Sequence, residues 1–152
     1  MKGLKIDRAR PSNAIDIYAL LKEAQKERVL YGDPSERQLQ SYFFGGLIAE
    51  LSSPLHLFFV AKRGRGFLGF VHAVLIPGRW DGFISHAVID TIFVTKKRRK
   101  NGIGRKLLDD LKKEVENIGI KRLEFLASDP ELEYWAKERG AAKIKNLAGV
   151  DL

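Results

Sequence analysis

The stretch Val94–Leu108, VTKKRRKNGIGRKLL, limits the possible folds more than any other part of the chain. A long β-type run, Phe83–Val94 (FISHAVIDTIFV), feeds into five consecutive cations, Lys96, Lys97, Arg98, Arg99 and Lys100. Asn101-Gly102-Ile103-Gly104 follows. Ile103, Leu107, Leu108, Leu111, Val115 and Ile118 then recur at helical spacing, which predicts an amphipathic helix over about 102–117 with Gly119 as its C-terminal stop. Another β-type run, Lys121–Ser128 (KRLEFLAS), comes next. A strand-helix-strand step of this kind calls for a right-handed crossover and one parallel pair of strands.

The turn itself carries chemistry. A helix N-terminus offers unpaired backbone N–H groups and the positive end of the helix dipole. Glycine there lets an anion approach the main chain with no Cβ in the way. With the adjacent cations, the pattern fits a ligand bearing several phosphates, a pyrophosphate above all. Two common phosphate loops are absent: there is no G-x-x-x-x-G-K-[ST], and Gly102-x-Gly104 lacks the third glycine of G-x-G-x-x-G.

The rest of the chain reads as short alternating elements. LKIDRA is a first strand stopped by Pro11, and Ser12 or Asn13 caps a helix reaching about Lys26. Asp33, with Pro34 in the first turn and Glu36 three residues on, caps a second helix, weakened or bent by Gly45-Gly46. Leu55–Lys62 and Phe67–Ile76 form a hairpin across the turn GRG. DPELEYWAKERG reads as a short helix with Asp129 as cap, Pro130 in its first turn and Gly140 at its end, and AKIKNLAGVDL supplies a final strand or two. The order β-α-α-β-β-β-α-β-α-β gives an α/β (α+β) fold with a mixed sheet. With 152 residues, no repeat and no long linker, a single domain over 1–152 is expected.

Composition narrows the function. Lys plus Arg total 27 against 19 Asp plus Glu, a net charge of +8 that favours anionic partners without choosing among them. The absence of cysteine removes disulfides, thiolate metal ligands and a cysteine nucleophile. No apolar run approaches a bilayer span, and MKGLKIDRARP lacks the apolar core of a secretory signal, so a cytoplasmic protein without membrane attachment is expected. Nucleic-acid binding is disfavoured, because TKKRRKNG has no aromatic interleaved with its cations. His56 and His72 have no metal-ligand spacing, no metal site is expected, and neither histidine receives a role.

Val94 followed by Arg99-x-x-Gly102-x-Gly104 and Leu107-Leu108 resembles the acetyl-CoA signature [RQ]-x-x-G-x-[GA] of the GNAT N-acetyltransferases, and the element order resembles that family along the whole chain. The resemblance implies a mostly antiparallel central sheet with helices on both faces and one splayed parallel pair, formed by the strands of Ile92 and Phe125. It implies acetyl-CoA as cosubstrate, with the main chain of Ile92, Phe93 and Val94 along the pantetheine arm. Arg99, Lys100, Asn101, Gly102, Ile103 and Gly104 would hold the pyrophosphate, Arg105 would assist, and Asp129 stands where an asparagine often meets pantetheine. The implied reaction is direct attack of a primary amine, small-molecule or protein, on the acetyl carbonyl. A base must then take a proton from the amine.

Asp90 occupies the position of a strand glutamate common in the family, and is the expected base, with His86 in reserve. Period-two alternation puts Asp90 on one strand face with His86, Val88 and Ile92. Ala136 stands where a tyrosine acid is usual, and Tyr134, two residues earlier and about 200° round the helix, does not simply substitute for it, so the thiolate takes its proton from water or substrate, or catalysis is weak. That departure keeps a second reading open, a domain that binds coenzyme A or is structural, with weak or no catalysis. Exposed Trp80 and the segment Tyr31–Asp33 are expected at the acceptor mouth, and a homodimer is a family-level expectation.

Overall fold

The computed structural model describes residues 3–80, 82–126, 130–138, 142–144 and 147–151. Its elements run β1 (Leu4–Arg8), α1 (Ala14–Lys26), α2 (Glu36–Tyr42), α3 (Ile48–Ser52), β2 (His56–Arg63), β3 (Gly66–Pro77) and β4 (Ile84–Val94). They continue with α4 (Ile103–Ile118), β5 (Arg122–Leu126), α5 (Pro130–Lys137), β6 (Ala142–Ile144) and β7 (Leu147–Asp151). The seven strands form one sheet in the order β1-β2-β3-β4-β5-β7-β6. Every neighbouring pair is antiparallel except β4–β5, the parallel pair that the α4 crossover requires.

Helices cover both faces. The stripe Ile103, Leu107, Leu108, Leu111 and Val115 of α4 is buried against Leu57, Val71, Ala73, Ala87 and Ile89 on one face, with Leu132 and Trp135 of α5 in the same core. Full burial of a large aliphatic side chain is worth about 1.5–3 kcal/mol. Five such positions therefore fix where α4 lies, and with it where the turn at its N-terminus points. On the other face, Ile17, Leu20, Leu21 and Ala24 of α1 pack with Leu39 and Leu47 against Phe58, Val60, Phe70 and Phe93.

Helix ends follow local chemistry, with two departures from expectation. Gly119 closes α4 in a left-handed conformation at φ 92°, as its sequence position predicts. The second helix, however, starts at Glu36: Ser35, not Asp33, is its cap, accepting from the Gln38 N–H while the Gln38 side chain accepts from the Ser35 N–H. Gly45-Gly46 neither ends nor sharply breaks this region. Residues Phe43–Leu47 widen into a π-helical turn between α2 and α3. Asp129 and Gly140, expected at the ends of α5, lie outside the described residues.

Candidate active site

The parallel pair is short. Ala87, Val88 and Ile89 pair with Leu123, Glu124 and Phe125, and there the register ends, although β4 runs on to Val94. Among the described residues no strand pairs with Asp90–Val94 on the β5 side, so that edge of β4, the Val94 carbonyl apart, offers free main-chain groups to a ligand. At the end of this edge stands the N-terminus of α4. Its first intrahelical bond is Lys106 N–H to Gly102 O at 3.1 Å. The N–H groups of Ile103, Gly104 and Arg105 thus have no acceptor within the helix. No side chain caps it, and no acidic residue sits in its first turn. Lys100 (φ 68°) and Gly102 (φ 78°) take left-handed conformations on either side of Asn101, folding the turn back on itself. A cleft of about 400 Å³ joins these parts, lined by Ile92, Val94, the turn residues Arg98–Lys100 and Gly102–Arg105, and Leu132, Tyr134 and Trp135 of α5.

The cations of this turn have separate jobs. Arg99 Nη1 and Nη2 lie 2.8 and 2.9 Å from the two carboxylate oxygens of Glu27, just past the end of α1. Its Nε donates to the Val94 carbonyl at 2.9 Å, and its guanidinium lies over the Phe93 ring. The Arg99 side chain therefore clamps the turn to strand and helix, leaving its main chain to face a ligand. Arg105 is paired with Glu138 at 3.1 Å. Lys100 lines the cleft, Asn101 does not, and both are exposed.

Asp90 marks an irregularity that alternation alone does not reveal. Ala73 pairs with Ile89 and His72 with Thr91, which leaves Asp90 as the extra residue of a β-bulge. The bulge reverses the phase of β4. Ala87 and Ile89 face the α4 core before it; Ile92 and Val94 pack on that core after it, and Phe93 joins the opposite one. The expected shared face of Asp90 and Ile92 is thereby corrected: Asp90 stays on the strand face of His86 and Val88, while Ile92 turns toward the α4 core and the cleft at its N-terminus. His86 is not brought to Asp90 either. Its ring contacts Ser85 Oγ at 2.7 Å and Glu124 at 3.7 Å, four residues down the strand, and it lines none of the clefts around Asp90.

Two further clefts meet at the bulge. One, of about 440 Å³, is lined by Val29–Asp33, Ile89–Ile92 and Leu132. The other, of about 240 Å³, lies between Leu21, Leu30, Tyr31, Gln38, Tyr42, Glu50, Phe58, Phe70, His72, Asp90 and Thr91. Ile92 and Leu132 also line the cleft at the α4 turn, so the three depressions share walls through the splay in the sheet. The expected Tyr31–Asp33 segment is part of this wall, whereas Trp80 is 88% exposed beneath the Arg79 guanidinium and lines none of it.

Asp90 Oδ2 lies 3.4 Å from His72 Nδ1, and Thr91 Oγ1 donates to Asp90 at 3.0 Å. Hydrogen bonding to His72 is the main reason that the Asp90 carboxyl is held below its ordinary pKa, against the opposing effect of burial. His72 is buried, stacked on Phe58, and its Nε2 is 2.8 Å from His56 Nδ1. Tyr42 donates to Glu50 alongside, and burial followed by that carboxylate raises the phenol's pKa. Neither histidine was singled out by spacing along the chain. The signal lies in the hairpin register: His56 pairs with Val74 and Phe58 with His72, which makes the two histidines diagonal neighbours on one face. Ala136, at the position where the resemblance implies a tyrosine, is buried in the core, while exposed Tyr134 borders the cleft at the α4 turn.

No curated protein sequence matches the chain. Among solved structures, it is similar to the PaiA N-acetyltransferase of Thermoplasma acidophilum in complex with coenzyme A, at 14% identity and a TM-score of 0.74, over 98% of this chain and 99% of that one. A GNAT family acetyltransferase from Brucella melitensis in complex with acetyl-CoA aligns at 15% identity and TM-score 0.72, over 98% and 88%. An aminoglycoside acetyltransferase from an uncultured soil metagenomic sample aligns at 17% and 0.71, over 94% and 91%. At these identities the likeness speaks for the fold. The sequence itself matches the model of the acetyltransferase (GNAT) family over residues 15–141, so the chain belongs to that family.

Proposed function

We propose that the protein is an acetyl-CoA-dependent N-acetyltransferase whose acceptor is a primary amine. The observation that carries the reading is the unpaired edge of β4 running into the uncapped N-terminus of α4. Strand edge and helix terminus together fit a long ligand with an amide-bearing arm and a diphosphate. In this reading the main chain of Ile92, Phe93 and Val94 holds the arm. The N–H groups from Lys100 to Arg105 hold the pyrophosphate, with Lys100 and Arg98 adding positive charge at the rim. Acetyl-CoA supplies an activated acyl carbon at the thioester.

The acceptor enters from the opposite side of the splay. Among the described residues lining the small cleft there is no lysine or arginine, while Glu50 and Asp90 both contribute carboxylates. In a chain of net charge +8 that local reversal suits a protonated amine. The amine must lose a proton before it can attack, and Asp90, at the bulge where the clefts meet, is placed to orient the ammonium and take that proton. With Ala136 buried where a tyrosine acid is usual, the departing sulfur takes its proton from water or from the substrate amine.

The test is thiol release from acetyl-CoA across a panel of amines, alongside a thermal-shift titration with coenzyme A. Asp90→Asn is expected to lower kcat about 10²-fold or more, with the KM for acetyl-CoA unchanged. Tight binding of coenzyme A with no thiol release from any amine would instead establish a non-catalytic binding domain.

A further inference from the structure

We propose that His72 is a positioning residue for acetyl transfer: braced by His56, it donates its Nδ1–H to Asp90 and holds that carboxylate with the second oxygen free to receive the amine. The inference rests on the transferase reading above and adds to it the group that orients the base. Asp90 needs such a group. It is the extra residue of the bulge, and its side chain is 57% exposed. A carboxylate so placed keeps its rotamer freedom unless its neighbours remove it.

The protons of this cluster follow by elimination. A carboxylate only accepts, and a neutral imidazole carries one N–H and one lone pair. His72 Nδ1 lies 3.4 Å from Asp90 Oδ2, so Nδ1 carries the proton. Nε2 is then bare, and His56 Nδ1, 2.8 Å away, is the donor to it. A second proton on His72 would enter at Nε2 and leave the Nδ1–H in place, so donation to Asp90 persists in both charge states of the ring. The ring itself is held. His72 is buried, and Phe58 stacks on it 6° from parallel with centroids 4.0 Å apart. Thr91 Oγ1 donates to the same carboxylate oxygen at 3.0 Å. Both contacts fall on Oδ2, which leaves Oδ1 as the oxygen for the amine.

The other titratable groups around the pair are His56 on β2, Tyr42 on α2, Glu50 on α3, and Tyr31 and Asp33 beyond α1. Among the described residues lining the two clefts at Asp90 there is no lysine or arginine. The His72 N–H is therefore the donor that keeps Asp90 ionised, and its effect on the carboxyl outweighs that of burial. Ionisation and orientation serve the same step. The ammonium gives one proton to Oδ1 and keeps its lone pair for the acetyl carbon. That proton then rests on a carboxyl more acidic than usual and open to solvent, and passes from Oδ1 to water. Asp90 is a carboxylate again when the next amine arrives.

The deciding experiment reads the ring nitrogens of the free protein by long-range proton–nitrogen NMR at neutral pH. The expected result is His72 protonated at Nδ1 and bare at Nε2; a proton on Nε2 with Nδ1 bare overturns the proposal. The Asp90 carboxyl resonance supplies a second measurement. In His72→Phe, which keeps a ring against Phe58 but carries no donor, that carboxyl should take up its proton at higher pH than in the parent, and an unshifted Asp90 overturns the proposal. The same variant should lower kcat by about 10-fold or more with the KM for acetyl-CoA unchanged. His72→Asn, whose amide nitrogen stands as far along the side chain as Nδ1, should recover part of that rate. Equal kcat in the parent and His72→Phe overturns the positioning role and leaves the transferase standing. Should His72→Phe fail to fold, His56→Ala removes the brace from a partly buried ring. It should move Asp90 in the same direction and lower kcat by a smaller factor, and no change in either overturns the proposal. A parent that neither binds coenzyme A nor releases thiol sinks the transferase reading itself, while the ring and carboxyl resonances still judge the hydrogen bond.

Discussion

At Gly69 a Cβ would stand 2.6 Å from the Phe93 carbonyl oxygen and 3.1 Å from the Val94 Cα. These are backbone atoms of β4, on the side that pairs with β3, and they cannot swing aside as a side chain can. Gly69→Ala is therefore expected to cost about 1–3 kcal/mol, measured by chemical denaturation, and to weaken coenzyme A binding through displacement of β4. The second residue-scale expectation concerns acid. His56 has a folded pKa below its ordinary 6.5, chiefly through burial. As pH falls through that value, the unfolded chain takes up the proton first, and stability drops until the folded ring is protonated as well. The thermal midpoint should thus decline on acidification from about pH 7.5 to about pH 5, and His56→Asn should flatten that part of the curve. Asp90 contributes with the same sign at lower pH: its depressed pKa supports the fold above 3.8, and that support is lost as pH falls through the folded value.

The strand, turn and amphipathic run from Ile84 to Ile118 were legible in sequence because each residue there reports its local conformation: apolar spacing, glycine at the turn, glycine at the stop. The bulge at Asp90 was not, since an extra residue in a strand announces itself only through its partner's register. The same holds for His56 and His72, which are 16 residues apart and meet only because of how one hairpin is paired. The cap at Ser35 was missed for a different reason. Asp33 and Ser35 are both good caps, and the reciprocal partner Gln38 decides between them. The Arg99–Glu27 pair joins residues 72 apart and gives no sequence signal at all. It makes a prediction at this scale. Glu27→Ala, which alters no residue of the cofactor cleft, should release Arg99, loosen the turn before α4 and lower coenzyme A affinity several-fold by calorimetry. Its effect on unfolding should be small.

Across the whole molecule, charge is divided by location. The cleft at the α4 turn collects Arg98, Arg99, Lys100 and Arg105, while the cleft proposed for the acceptor presents Glu50 and Asp90. The two halves communicate through shared walls at Ile92 and Leu132 and through the clamp between Arg99 and Glu27. Glu27 follows directly on α1, and Val29–Asp33, a few residues later, form one bank of the cleft proposed for the acceptor. Whatever steadies Arg99 therefore steadies that bank. Loading the nucleotide first should prepare the amine's berth, and by thermodynamic reciprocity the amine should tighten the nucleotide to the same degree. Steady-state kinetics with a dead-end analogue should then reveal a compulsory sequence of arrivals, nucleotide before amine, and severing the link at Glu27 should turn that queue into a random one.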